Sequence, residues 1–251
     1  MARLTDNTPP ALEAGRDALF LDLDGTLVEI ADDPAGVRMD EPARALLRAL
    51  SARMDGAVAL LTGRSLEAAD IISGGAIEPV GALHGIDMRL SRAVLHTAPP
   101  LLQQMRTASA KFSALIASGA LDARMEDKGA SVALHYRHAP HAQQHVHALA
   151  HAFAAEHGLR TLKGKMVIEL LPPGADKGQA LRAFMQQAPF VNRRPIMVGD
   201  DVTDESAFDA ANALGGRSVL VGAPRDTAAL HALPGVAAVR AWLGRALETA
   251  P

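Results

Sequence analysis

Two acidic clusters, a lysine and a threonine carry the chemistry in this 251-residue chain. Asp22-Leu23-Asp24-Gly25-Thr26 sets two carboxylates two residues apart. On an extended segment that spacing points both the same way, because side chains there alternate with a period of two. A calcium-binding EF-hand loop wants its glycine sixth rather than fourth, so calcium is disfavoured. Gly199-Asp200-Asp201-Val202-Thr203-Asp204-Glu205 is the second cluster. A helix start with Thr203 as N-cap would account for Asp204 and Glu205, whose charges suit a first helical turn. It leaves Asp200 and Asp201 unexplained, since like charges repel there. Facing Asp22 and Asp24 across a sheet edge, that pair calls for a hard divalent cation. Oxygen donors with no His or Cys beside them indicate Mg2+. Lys177 opens a helix that Asp176 is expected to cap, where an ammonium opposes the helix dipole. An anion held by that helix end and by Lys177 satisfies both. Thr62, followed by Gly63 and Arg64, can donate its hydroxyl to the same anion.

The residues that flank these clusters have the pattern of a frame. Positions 18–21 form a short apolar run ending at Asp22, as expected of a strand buried on both faces. A second run, 57–61, ends at Thr62; a third, 195–198, ends at Gly199; a fourth spans 218–221. Between them lie helical patterns. One is opened by Pro42 in its first turn and another is capped by Ser65. Strands alternating with helices predict an α/β fold, a doubly wound and mostly parallel sheet. The polar clusters all fall at carboxyl ends of strands, where such sheets bind ligands.

The middle of the chain has another rhythm. Positions 101–118 and 140–157 have helical periodicity, and 121–126, 131–137, 159–163 and 165–170 alternate as strands. The order αββαββ predicts an antiparallel sheet with one covered face. Pro99-Pro100 and Pro172-Pro173-Gly174 punctuate its ends. The expected organisation is a catalytic core of 1–100 and 174–251 with an inserted α+β cap domain, 101–173. Seven of the ten histidines lie between 135 and 157, with His141/His145 and His147/His151 at metal-ligand spacing. They fall opposite the apolar stripe of Ala142, Val146, Leu149, Ala150 and Phe153, so a solvated face is expected rather than a metal site. Trp242 is expected to pack a C-terminal helix.

In kind, order and placement, DLDGT at 22–26, Thr62, Lys177 and GDD at 199–201 resemble the motifs of the haloacid dehalogenase (HAD) superfamily of phosphohydrolases. That resemblance implies a Rossmannoid core in which Asp22 attacks phosphorus to give an aspartyl-phosphate. Asp24 would then serve as general acid and later as general base. Mg2+ would be held by Asp22, the Asp24 carbonyl and Asp200, with Asp201 or Asp204 behind them. Within the superfamily, the series from Glu126 to Arg137, the strand from Gly164 to Leu170, and His84-Gly85 resemble the trehalose-6-phosphate phosphatases over nearly the whole chain. The resemblance implies that Glu126, Lys128, Arg137 and Glu169 grip the sugar, with Arg64 and His84 also on the substrate side. The implied activity is hydrolysis of trehalose 6-phosphate. The alternatives are another sugar-phosphate phosphatase of the superfamily, of sucrose-phosphate type, or a catalytically silent sugar-phosphate sensor or module of a synthase complex.

Composition narrows the classes further. A net charge of −3 gives no basic footprint for nucleic acid. Without cysteine there is no disulfide, thiolate metal site or cysteine nucleophile. No apolar run approaches the ~18–20 residues that span a bilayer, and the first residues lack the apolar stretch of a secretory signal. The expectation is a cytoplasmic monomer acting on a small molecule, with no membrane or nucleic-acid partner.

Overall fold

The computed structural model describes residues 8–31, 36–90, 94–96, 102–174 and 176–248. The Pro99-Pro100 punctuation lies outside them. The chain divides into two units, one of Met1–Thr97 with Asp176–Pro251 and one of Ala98–Ala175.

In chain order, the first unit opens with β1 (Asp17–Leu21), α1 (Glu41–Arg53), β2 (Val58–Leu61), α2 (Leu66–Ser73), β3 (Val80–Ala82), β4 (Asp87–Arg89) and β5 (Val94–His96). The second unit contributes α3 (Leu102–Ala117), β6 (Arg124–Asp127), β7 (Val132–His135), α4 (Gln143–His157), β8 (Arg160–Gly164) and β9 (Val167–Leu171). The chain then returns to the first unit with α5 (Lys177–Phe184), β10 (Arg194–Gly199), α6 (Glu205–Ala213), β11 (Arg217–Val221), β12 (His231–Leu233) and α7 (Val236–Glu248).

The first unit, the core, is built on an eight-stranded sheet in the order β12-β11-β10-β1-β2-β3-β4-β5. It is parallel from β12 through β3. β4 and β5 then extend it as an antiparallel arm, which the sequence pattern did not foretell. Every residue of β1 is buried, and alternate positions feed two layers. Leu19 and Leu21 pack with Leu47 and Leu50 of α1 and with Trp242 and Leu243 of α7. Ala18 and Phe20 pack with Leu181 and Phe184 of α5 and Phe208 of α6. A strand covered on both faces reads as an unbroken apolar run for this reason. The helix starts follow local chemistry. Asp40 accepts the Ala43 amide at 2.9 Å, and Ser65 accepts the Ala68 amide at 3.2 Å. Asp176 accepts the Gly178 and Gln179 amides at 2.6 and 3.3 Å.

In the second unit, β6-β7-β9-β8 form a wholly antiparallel sheet. One face is covered by α3 and α4, where Phe112 and Phe153 meet Val132, Leu134, Ile168 and Leu170. On the opposite face, Glu126, Ala133 and Glu169 lie in one row across β6, β7 and β9. His141, His145 and His151 are exposed, and His147 is half-buried with its Nε2 3.0 Å from the Tyr136 hydroxyl. The histidine face is therefore solvated and hydrogen-bonded. No helix among the described residues is long and apolar enough to cross a membrane.

Candidate active site

Three parallel neighbours deliver the chemistry to one edge. β1 ends at Leu21, β10 at Gly199 and β2 at Leu61, so Asp22, Asp200 and Thr62 each follow a strand's last residue. The register is closed by the Asp22 amide, which donates to the Val198 carbonyl at 2.9 Å. Gly25 lets the two acidic clusters approach. Its φ is +76°, and a Cβ there would lie 2.1 Å from Asp200 Oδ2.

Lys177, the first residue of α5, is buried and donates from Nζ to Asp22 Oδ1 at 2.8 Å and to Asp204 Oδ1 at 2.6 Å. Ligand atoms of Asp22, Asp200 and Asp204 lie within 4.8 Å of one another. Three carboxylates thus crowd around one ammonium, with Asp22, Asp204 and Lys177 buried and Asp200 partly so. Burial drives the Asp22 carboxyl well above the usual range, and Asp204 and Asp200 add to the rise against the pull of Lys177. Burial, then the charges of Asp204 and Asp201, push Asp200 up to about 7. Burial disfavours the Lys177 ammonium, but Asp204 and Asp22 outweigh it and raise its pKa above the lysine range. A surplus of hard oxygen donors around too little positive charge fits a divalent cation.

Asp204 and Asp201 of the second cluster separate cleanly. Asp204 is fully buried, and its other oxygen accepts the Asp201 amide at 3.0 Å. Asp201 turns away and spends its carboxylate on the Val202 amide at 2.8 Å. Asp201, not Thr203, is thereby the N-cap of a 3-10 turn over Val202–Asp204. Arg225, which sequence reasoning passed over, braces the turn by donating to the Asp201 carbonyl at 2.8 Å.

Asp24 stands apart from the carboxylate cluster. Arg64 grips it with two parallel bonds, Nε to Oδ2 at 2.8 Å and Nη2 to Oδ1 at 2.7 Å. The Arg64 amide donates to Thr62 Oγ1 at 3.1 Å, so one residue links both elements. Thr62 is buried, and its carbonyl accepts the amide of His84. His84 is also buried and holds a left-handed φ of 57°.

In the second unit, the residues singled out from sequence gather in part. Glu169 is buried and accepts from Lys128 Nζ at 3.2 and 3.3 Å and from the Ser131 hydroxyl at 2.6 Å. Glu126 Oε2 lies 3.0 Å from His135 Nε2. That hydrogen bond holds the Glu126 carboxyl below the usual range, with Lys128 assisting and burial opposing. Arg137 is exposed in the turn after β7. Ser131 and His135 carried no signal of their own in the sequence, because neither residue type at those positions stands out from a polar strand face.

A family model described as trehalose-phosphatase matches residues 20–229. A probable trehalose-phosphate phosphatase of Sinorhizobium fredii is 41% identical over 226 residues, covering 89% of this chain and 84% of that protein. The trehalose-6-phosphate phosphatase of Escherichia coli is 38% identical over 235 residues, covering 93% and 87%. Among solved structures, a trehalose-6-phosphate phosphatase related protein superposes with a TM-score of 0.77 at 25% identity, covering 92% of this chain and 96% of that one. A haloacid dehalogenase-like hydrolase from Bacteroides thetaiotaomicron, 14% identical with a TM-score of 0.65, covers 92% and 99% and shares the fold.

Proposed function

Because the chain belongs to the trehalose-phosphatase family, we propose that it hydrolyses trehalose 6-phosphate to trehalose and inorganic phosphate with Mg2+ as its metal. The observation that carries the mechanism is Lys177, held between Asp22 and Asp204 in a buried cluster where carboxylates outnumber ammonium.

Asp22 and Asp200 would hold the cation with the Asp24 carbonyl, and Asp204 lies beside them. The cation supplies the positive charge that lets a carboxylate meet a phosphate dianion. Lys177 opposes the protonation that burial favours at Asp22 and aims its carboxylate. Asp22 attacks phosphorus, the bond to the sugar oxygen breaks, and Asp24 gives that oxygen its proton. Asp24 then takes a proton from water, which attacks phosphorus and frees Asp22. Thr62 donates its hydroxyl to the phosphate, and the Arg64 fork, which fills both Asp24 oxygens, opens so that Asp24 can carry the proton it delivers. Glu126, Lys128, Arg137 and Glu169 of the cap take the sugar, and His84 sits on the substrate side of the core. Charged groups on a sheet face suit a non-ionic disaccharide, because each can bond vicinal hydroxyls.

Phosphate release from trehalose 6-phosphate, sucrose 6-phosphate and glucose 6-phosphate tests the reading. Trehalose 6-phosphate should have the highest kcat/KM of the three, and chelation should abolish turnover until Mg2+ is returned. Ca2+, which takes more ligands at longer distance, should inhibit. A preference for sucrose 6-phosphate would move the chain to that specificity. No release from any of the three would make it a sensor.

A further inference from the structure

Between the two carboxylates of the cap row runs a single strand, β7, whose residues on that face do unequal work. Ala133 sits in the row itself, between Glu126 and Glu169. Two strand spacings of ~4.8 Å put the two glutamates about 10 Å apart at the backbone. The neighbours of Ala133 on the same face are Ser131 and His135, and each is bonded to a different glutamate. The Ser131 hydroxyl is 2.6 Å from Glu169 Oε1, and His135 Nε2 is 3.0 Å from Glu126 Oε2. An ionised carboxylate only accepts, so both groups must donate.

We infer that Ser131 and His135 are positioning residues for recognition of the sugar, Ser131 fixing Glu169 and His135 fixing Glu126 from one strand. The inference rests on the proposed role of those glutamates. Ser131 is fully buried, so its hydroxyl acts on a ligand only through Glu169. Glu169 Oε1 accepts from both Ser131 and Lys128, and Oε2 accepts from Lys128. Glu126 commits Oε2 to His135. Each glutamate carboxylate is thereby held by a donor from the same run of chain, Ser131 for Glu169 and His135 for Glu126. Without its strut a glutamate side chain regains several rotamers, and the binding geometry must be ordered anew by each substrate molecule.

Double-mutant cycles test this, with the ratio of kcat/KM on trehalose 6-phosphate to that on p-nitrophenyl phosphate as the readout. Ser131→Ala should lower the ratio about 10-fold, the worth of one hydrogen bond to a charged acceptor. It should lower it no further in a Glu169→Ala background. His135→Ala should behave the same way against Glu126→Ala, and His135→Gln, which keeps an N–H donor, should recover most of the loss. Losses that add in full in the double variants, with a lowered Tm, would mean that these side chains only support the fold and would overturn the inference. An unchanged ratio in Ser131→Ala and His135→Ala would overturn it as well. Glu126→Ala and Glu169→Ala alone decide the underlying reading. If they leave the ratio intact, the sugar-binding assignment falls and takes the inference with it.

Discussion

The core cluster and the cap row set carboxylates against donors in different proportion. In the core, Asp22, Asp200 and Asp204 surround one lysine, and three of these four side chains are buried. In the cap, Glu169 has Lys128 and a serine, and Glu126 has a histidine. The core is left short of positive charge, and two of its carboxyls are pushed toward protonation as a result. The cap is nearer to balance, and its Glu126 carboxylate is pushed the other way. A deficit of charge prepares a site for a cation and a phosphate dianion. A balanced set of donors and acceptors prepares one for hydroxyl groups. On the proposed function, that difference separates the part that would break a bond from the part that would read the sugar.

The sharpest way to break the comparison is to remove one core carboxylate. Asp22→Asn should abolish turnover on every substrate while the protein stays folded, and retention of more than a few per cent of activity would sink its role as nucleophile. Asp24→Asn should cost roughly 10²–10⁴-fold. The loss should be smaller on p-nitrophenyl phosphate, whose leaving group needs little protonation. Equal losses on both substrates would deny Asp24 the acid role.

A gentler perturbation displaces the core cluster without removing a charge. Gly25→Ala places a methyl where Asp200 Oδ2 now lies, at a backbone angle that disfavours a side chain. Shifting Asp200 should cost on the order of 10²-fold in kcat on both substrates. Weaker Mg2+ binding should accompany it in a titration. Normal metal affinity would show that Asp200 tolerates displacement.

Changes in the cap should instead be selective. Lys128→Ala and Glu169→Ala should each reduce kcat/KM on trehalose 6-phosphate about 10- to 100-fold, and on p-nitrophenyl phosphate hardly at all. If both activities fall together, the residues hold the cap's fold rather than the sugar.

The smallest effect concerns acid. Glu126 is held below its ordinary 4.5 in the folded protein, so it releases its proton more readily folded than unfolded. Its contribution to stability is therefore complete above that ordinary value and is lost as pH falls through the lower folded one. The Tm difference between the native chain and Glu126→Gln should be constant near neutrality and shrink below about pH 4.5. A difference that grows on acidification would reverse the sign of the interaction.

Much of this arrangement was legible because its signals are local. The β1 run announces its burial on both faces, and Asp176, Ser65 and Pro42 mark helix starts with chemistry confined to one turn. The αββαββ rhythm of residues 102–171 required only periodicity. What stayed hidden depends on tertiary approach. Four carboxylates in six residues do not say which one turns inward. Asp204 does so because a 3-10 turn rotates it and because Gly199 has no Cβ in its way, where one would lie 2.3 Å from the carboxylate. The antiparallel β4–β5 arm is three residues per strand, too short for a period to register. Ser131 and His135 reveal themselves only once β6 and β9 lie on either side of β7.

The chain's excursion out of the core also bears on how the protein is made. β1, in the interior of the eight-stranded sheet, bonds β2 on one side and β10 on the other. β10 begins only at Arg194, and Asp22 is 155 positions from the lysine that aims it. A ribosome therefore delivers β1 with one hydrogen-bonding edge bare and keeps it bare while the whole inserted unit is synthesised. Exposed apolar edges of this kind invite pairing with other nascent chains. The inserted unit, by contrast, comes from one uninterrupted stretch and has all its strand partners within it. Translation thus completes the inserted unit before the core sheet has its central neighbour, and the folding delay falls on the strand that leads into Asp22.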